Sequence, residues 1–247
     1  MAGYRRGLRL PGSVVAVAGA PKGGAVGGVV AAALTAAGAR PVLLDAVDLT
    51  DGDAVRDAAA TVVDRSGRLD GWVHCAREGV SARLLDLPPE EIRRVLDVDL
   101  LGAVHGARAA LPHLLAHGGG VLVVVVSLHG QVARPYGAPQ GIAAAGVRVL
   151  AAALRQELRL DGARGVAVTT VLAPEPDLPG PAFLRGRPER VAATVVAQLR
   201  RPRLEKVAGG PLTKALVHGH ALVPAATEWF VAAYTRDASH TAVGKPR

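Results

Sequence analysis

Apolar residues recur along this chain in two rhythms. Short β-rich runs fall at 14–18, 41–45, 71–75, 121–126 and 166–172. The run at 121–126 is unbroken, as suits a strand covered on both faces. Between these runs the apolar positions take helical spacing at 26–37, 53–66, 88–117, 140–160 and 187–199. In the second of these, Val55, Ala59, Val62 and Val63 share one face. In the third, prolines stand at the start, with Glu90 and Glu91 in the first turn. Strands alternating with helices at this interval predict βαβ units and a parallel sheet in a single α/β domain over residues 1–247. The proline-rich stretch 174–188 is expected to loop over the carboxyl edge of the sheet. Residues 1–10 and 238–247 are expected to be flexible tails. The stretch 212–234, with Trp229, Phe230 and Tyr234, predicts a helix packed on the body or on a partner subunit.

Composition narrows the function classes. Half of the 247 residues are hydrophobic and only 20% are charged, which excludes wholesale disorder and allows a sizeable core. No stretch of about 18 strongly apolar residues appears, so no transmembrane segment is expected. The basic, apolar start runs straight into a glycine-rich turn, which argues against a signal peptide. Cys75 is the single cysteine, so no intrachain disulfide forms, and a reducing, cytoplasmic setting is expected. The net charge is +8, but the cations are dispersed along the sequence and aromatics are only 3%, so nucleic acid is not expected as a partner. No metal-ligand spacing stands out.

Candidate chemistry begins where the first strand ends. The turn AGAPKGGAVGG, residues 18–28, lies between a strand and a helix. Glycines there let a backbone approach a pyrophosphate at a helix N-terminus. A tight strand-to-helix turn without a ligand would look the same. Asp45 ends the second strand. It can accept hydrogen bonds from a ribose and would repel a 2′-phosphate, favouring NAD over NADP, while Lys22 pulls weakly the other way. Asp45 could equally serve as a turn or cap residue.

Further along, RRVLDVDLLGAVHGARAALPHLLAHGGGVLVVVVSLHG (93–130) and LRQELRLDGARGVAVTTVLAP (154–174) resemble the short-chain dehydrogenase/reductase family. The resemblance runs from about residue 10 to 234. It implies a Rossmann-type doubly wound parallel sheet flanked by helices, and hydride transfer between a nicotinamide cofactor and an alcohol or carbonyl. It places cofactor contacts at Gly19, Ala25, Gly27, Asp45, Asp48, Cys75 and Ala76. It also implies a small-molecule ligand in the cleft and a homo-oligomer or a partner protein. Much of the family's machinery has changed. The cofactor turn is two residues longer than the family pattern, and Ala18 replaces its Thr. The strand end that reads NNAG in the family is His74-Cys75-Ala76-Arg77. The helix Asn is Asp99. The catalytic Ser is kept as Ser127, but Gln140 stands at the Tyr position and Ala144 at the Lys position. Glu175 follows Pro174 where the family has Gly. The short connection 45–53 leaves no room for the family's outer strand, so at most six parallel strands are expected. The segment after Pro174, where the family builds its substrate lid, is also short.

These changes have chemical consequences of their own. Gln140 and Ala144 lie one helical turn apart and share a face. A Tyr with a nearby ammonium can give and recover a proton, whereas a glutamine amide cannot. Losing a general acid/base costs roughly 10²–10⁴-fold. Asp99 sits within an apolar helical stripe, either as a replacement acid or as a satisfied core polar group. Tyr136 could swing in as the acid, or could be a loop residue. Ser127, His129 and Asp99 could form a nucleophile triad, although a Ser and a His two apart at a strand exit seldom reach each other. Cys75 reads as a buried strand residue. The expected function is a family member without ordinary redox activity, acting in binding, scaffolding or regulation, with NAD as the residual cofactor. The alternative is an active oxidoreductase, or a non-redox isomerase or cyclase using Ser127, Asp99 and Gln140.

Overall fold

A computed structural model describes residues 7–19, 25–175 and 185–242, with side chains left undescribed at 25, 234 and 236–242. Six strands form one parallel sheet: β1 (Val14–Ala18), β2 (Arg40–Leu44), β3 (Gly71–His74), β4 (Gly120–Ser127), β5 (Val166–Ala173) and β6 (Glu205–Val207). Their order is β2-β1-β3-β4-β5-β6. The chain therefore reverses its direction of growth at β1, leaving a crevice beyond the carboxyl ends of β1 and β3. The helices are α1 (Ala25–Ala36), α2 (Gly52–Ser66), α3 (Pro89–Leu96), α4 (Gly102–Ala116), α5 (Ala138–Leu160), α6 (Pro188–Arg200), α7 (Pro211–His220) and α8 (Pro224–Ala242).

Burial on both faces explains the unbroken apolar runs. In β1, Val14, Ala16 and Ala18 join the core under α2, α4 and α5, while Val15 and Val17 join the core under α1 and α6. In β4, Leu122, Val124 and Val126 alternate in the same way with Val121, Val123 and Val125. Asp70 fixes the start of β1: its Oδ2 accepts from Val14 N at 2.8 Å, and Arg68 holds both of its carboxylate oxygens. The short connection after β2 leads directly into α2, whose N-cap Asp51 accepts from Asp53 N and Ala54 N. No strand intervenes there, as the length of the connection predicted.

Several expectations are corrected. The helix expected over 88–117 is interrupted by a π-helical turn at Asp97–Leu101. The single helix expected over 212–234 is two helices, α7 and α8, and the short edge strand β6 went unrecognised. The tail expected over 1–10 is anchored at its inner end: Leu8 N donates to Leu199 O at 2.7 Å, and Leu10 is buried. Helix α8 continues through residues 238–242, which were expected to fray. Most of the loop expected over 174–188 lies outside the described residues. Its ends are held together, since Gly186 N donates to Glu175 O at 2.8 Å.

Candidate active site

The carboxyl edge of the sheet gathers the candidate residues into one cleft. Cys75, Ala76 and Arg77 enter from the end of β3, Ser127 from the end of β4, and Ala173 and Pro174 from β5. Gln140 and Ala144 project from α5, Asp99 from the π-helical turn, and Val26 from the first turn of α1. Gly130 sets how closely α5 approaches β4. A Cβ on it would lie 2.7 Å from the Ala144 carbonyl carbon, so the helix seats directly against the turn after Ser127.

Bonded to Ser127 at the rim of the cleft is a carboxylate that sequence reasoning did not single out. Glu175, just past β5, accepts a hydrogen bond from Ser127 Oγ at 3.1 Å on Oε1. His129 Nδ1 lies 3.3 Å and Arg77 Nη1 3.4 Å from the same oxygen, and Arg134 Nη2 lies 3.8 Å from Oε2. Burial alone would raise the Glu175 pKa, but His129, Arg77 and Arg134 outweigh it and hold the carboxyl down at about 2. Glu175 is thus an anion bridging the ends of β3, β4 and β5. The only hint in the sequence was the acid following Pro174 in place of the family's Gly. Its partners at 77, 127, 129 and 134 come together only in the fold.

Ser127 is committed elsewhere as well, because its Oγ accepts from His129 N at 3.1 Å. His129 meets Ser127 through its backbone and turns its ring toward Glu175, so no Ser-His-Asp relay forms. Gln140 is buried, and its amide Nε2 donates to the Val80 carbonyl while Oε1 has no partner. Ala144 brings no charge to the face it shares with Gln140. Tyr136 is 40% exposed with φ +63°, its carbonyl accepting from Ala82 N, and it does not line the cleft. Asp99 does line it. Its Oδ1 accepts from Glu78 N at 2.6 Å, and burial lifts its pKa to about 7 against the pull of that bond and of Arg77. Burial pushes the Cys75 thiol up to about 12, which leaves it unreactive at neutral pH.

The residues proposed for a dinucleotide separate into two groups. Gly19, at φ +87°, packs so closely on the end of β3 that a Cβ would lie 2.1 Å from Ala76 N. Asp45 is exposed beyond β2 and makes no bond to the described residues, so its oxygens are open to ribose hydroxyls. Asp48 is exposed but turned inward on its own loop, where Oδ1 accepts from Thr50 N at 2.9 Å and from Thr50 Oγ1 at 2.7 Å. Gly27 is buried in α1. The turn residues 20–24, with Lys22, lie outside the described residues, as does the Ala25 side chain. The adenosine side of the crevice therefore fits a dinucleotide. The inner end carries the Glu175 anion with the Arg77 and Arg134 guanidinium groups around it.

The sequence profile of the short chain dehydrogenases matches residues 13–175. An uncharacterized oxidoreductase of Staphylococcus epidermidis is 24% identical over 165 residues, covering 66% of this chain and 72% of its own. A D-beta-hydroxybutyrate dehydrogenase of Rhizobium meliloti is 30% identical over 149 residues, covering 59% of this chain and 58% of its own. Among solved structures, a short-chain dehydrogenase from Streptomyces avermitilis superposes with a TM-score of 0.72 at 23% identity, covering 88% of this chain and 96% of its own. Another from Mycobacterium smegmatis gives 0.68 at 26% identity, covering 85% and 97%.

Proposed function

The chain belongs to the short-chain dehydrogenase family, and from that premise we infer a member that binds a dinucleotide or small ligand without ordinary alcohol or carbonyl redox turnover. One observation carries the reading: the Ser127 hydroxyl is spent on a carboxylate, and neither a glutamine amide nor an alanine can relay a proton. Ser127 donates its hydrogen bond to Glu175, Gln140 donates one amide hydrogen bond to Val80, and Ala144 supplies no ammonium. A bound nicotinamide would supply a hydride donor or acceptor. No proton donor at these positions would then serve a carbonyl oxygen, a deficit of roughly 10²–10⁴-fold. The family generally binds NAD(P); open carboxylate oxygens on Asp45 support NAD over NADP here. Cytoplasmic residence and a homo-oligomer or partner-bound state belong to the same reading. The solitary Cys75 supports the first, and exposed Val149 and Trp229 support the second. No helix among the described residues is long and apolar enough to cross a membrane.

Calorimetry with NADH and NADPH, followed by hydride exchange against a panel of alcohols and ketones, tests this reading. NADH binding without turnover is the expected result. Robust turnover by the wild-type chain overturns it, and NADPH binding as tight as NADH removes the role given to Asp45.

A second reading rests on Asp99. A cleft carboxyl poised at about 7 suits proton transfer without redox chemistry, as in an isomerisation. A wild-type activity whose rate titrates near neutrality and vanishes in Asp99→Asn would establish it.

A further inference from the structure

The cations that look dispersed in the sequence are not dispersed in the fold. Along α6, Arg190, Ala193 and Ala197 occupy one face at helical spacing, and Arg201 follows just past its end. That face forms one wall of a trough of about 360 Å³, whose other wall comes from Lys206 on β6 and Lys214 on α7. Arg203 lines the same trough. Five cations thus converge, and no acidic residue lines the trough with them. None of the five side chains has an ion-pair partner among the described residues. The acid nearest in the sequence, Glu205, is taken by Arg148, which reaches across from α5 at 2.8 Å.

The floor adds a second, independent sign. Gln198 is 2% exposed and lines the trough. Its Oε1 accepts from Arg203 N at 3.1 Å, but its Nε2 has no acceptor. A buried amide donor left without a partner costs about 1–3 kcal/mol unless something fills the role. Other arginines of this protein, Arg56, Arg68, Arg94 and Arg148 among them, do find carboxylates. Here every charged side chain is a cation.

The trough does not end at Arg190. That side chain also lines a neighbouring basin of about 220 Å³, where Arg185 and Arg187 face the backbone of Gly209 and Gly210 at the start of α7. Lys206 and Lys214 continue into a third basin of about 310 Å³, which the ion-paired Arg148 and Glu205 also line. Such an elongated array matches an anion whose charges are strung along its length. Exposed Ala193 and Ala197 and the buried Val207 offer apolar floor, and no Trp, Tyr or Phe lines any of the three basins, so bases would have no stacking platform.

We propose that the trough between α6 and α7, over the edge strand β6, binds a phosphate-bearing small molecule with more than one anionic group. It lies apart from the cleft that holds Ser127 and Gln140, and the inference does not depend on the redox reading. Arg190, Lys206 and Lys214 supply charge along the trough, and Gln198 supplies a directional donor from the floor.

Inorganic tripolyphosphate is the probe, titrated calorimetrically into the full chain. The expected result is saturable one-to-one binding that weakens as salt rises. In the double variant Arg190→Gln/Lys206→Gln it should weaken about tenfold, with loss of two charge-assisted contacts at exposed positions. Both side chains are exposed, so the melting temperature should stay within about 2 °C of the wild type. No saturable binding overturns the proposal. Unchanged binding in the double variant also overturns it, because the anion would then sit elsewhere, such as on the glycine-rich turn. Tighter binding of oligothymidylate or of hexaglutamate than of tripolyphosphate overturns the assigned ligand class.

Discussion

Ser127 Oγ stands 3.1 Å from Glu175 Oε1, so the serine hydroxyl at the end of β4 is turned toward an internal carboxylate. That carboxylate also balances Arg77 and the buried Arg134 guanidinium. The cations beside the cleft are therefore balanced by an internal anion.

Replacing this anion should destabilise the fold. Glu175→Gln leaves Arg77 and Arg134 facing an uncharged amide, at a cost of about 2–3 kcal/mol near neutral pH by urea denaturation. The sign with pH follows from the depressed pKa. The contribution of Glu175 is fully present above its unfolded value of 4.5 and is lost as pH falls toward about 2. The gap between wild type and variant should therefore close over that interval. A gap that persists unchanged at low pH would contradict the ion-pair account.

Two groups oppose each other at mildly acid pH. His74 is buried with neither ring nitrogen bonded, and burial pushes its pKa from 6.5 down to about 4. Between those values the unfolded chain takes a proton that the fold excludes, so stability falls as pH falls. Asp99 does the reverse: from about 7 down to 3.8 the folded state holds a proton that the unfolded chain releases, so stability rises as pH falls. The wild type should be nearly flat from about pH 4.5 to 6.5. Asp99→Asn removes the counterweight and should expose a loss of up to about 1 kcal/mol per pH unit in urea midpoints. Equal slopes in the two proteins would show that the pair does not compensate.

Rebuilding the proton relay is a test of what the cleft lacks. Gln140→Tyr alone should recover no appreciable ketone reduction with NADH, because a Tyr without an ammonium keeps a pKa near 10. Ala144→Lys supplies that charge one helical turn away. The double variant should gain turnover that neither single change shows, and adding Glu175→Gly, which removes the acceptor held by Ser127, should raise it further. Activity in Gln140→Tyr equal to that of the double variant would remove the need for the ammonium.

Gly19 should tolerate no side chain. Its φ is +87°, and a Cβ on it would lie only 2.1 Å from Ala76 N, so Gly19→Ala must push apart the ends of β1 and β3. A loss of about 3 kcal/mol or more is expected, together with loss of NADH binding. An unperturbed melting temperature would mean that the two strand ends separate freely.

The order of strands and helices was legible in the sequence because burial on both faces of a parallel sheet writes unbroken apolar runs at β1 and β4, and helices with one buried face write periodic ones. The six-stranded limit was legible too, since the connection from Asp45 to α2 is too short for a strand and its crossover. The expectation that Gln140 and Ala144 stand at the family's Tyr and Lys positions came from the resemblance, through their offsets from Ser127. Weaker signals failed for physical reasons. β6 is three residues long and too short for a pattern to register. The π-helical turn at Asp97–Leu101 adds a residue per turn without changing the apolar stripe. What only tertiary structure decided is which charges meet. Glu175 lies 48 positions from Ser127, and Arg190 lies 24 positions from Lys214. Electrostatic partnership depends on distance in space, and at such separations the sequence carries no periodicity that encodes it.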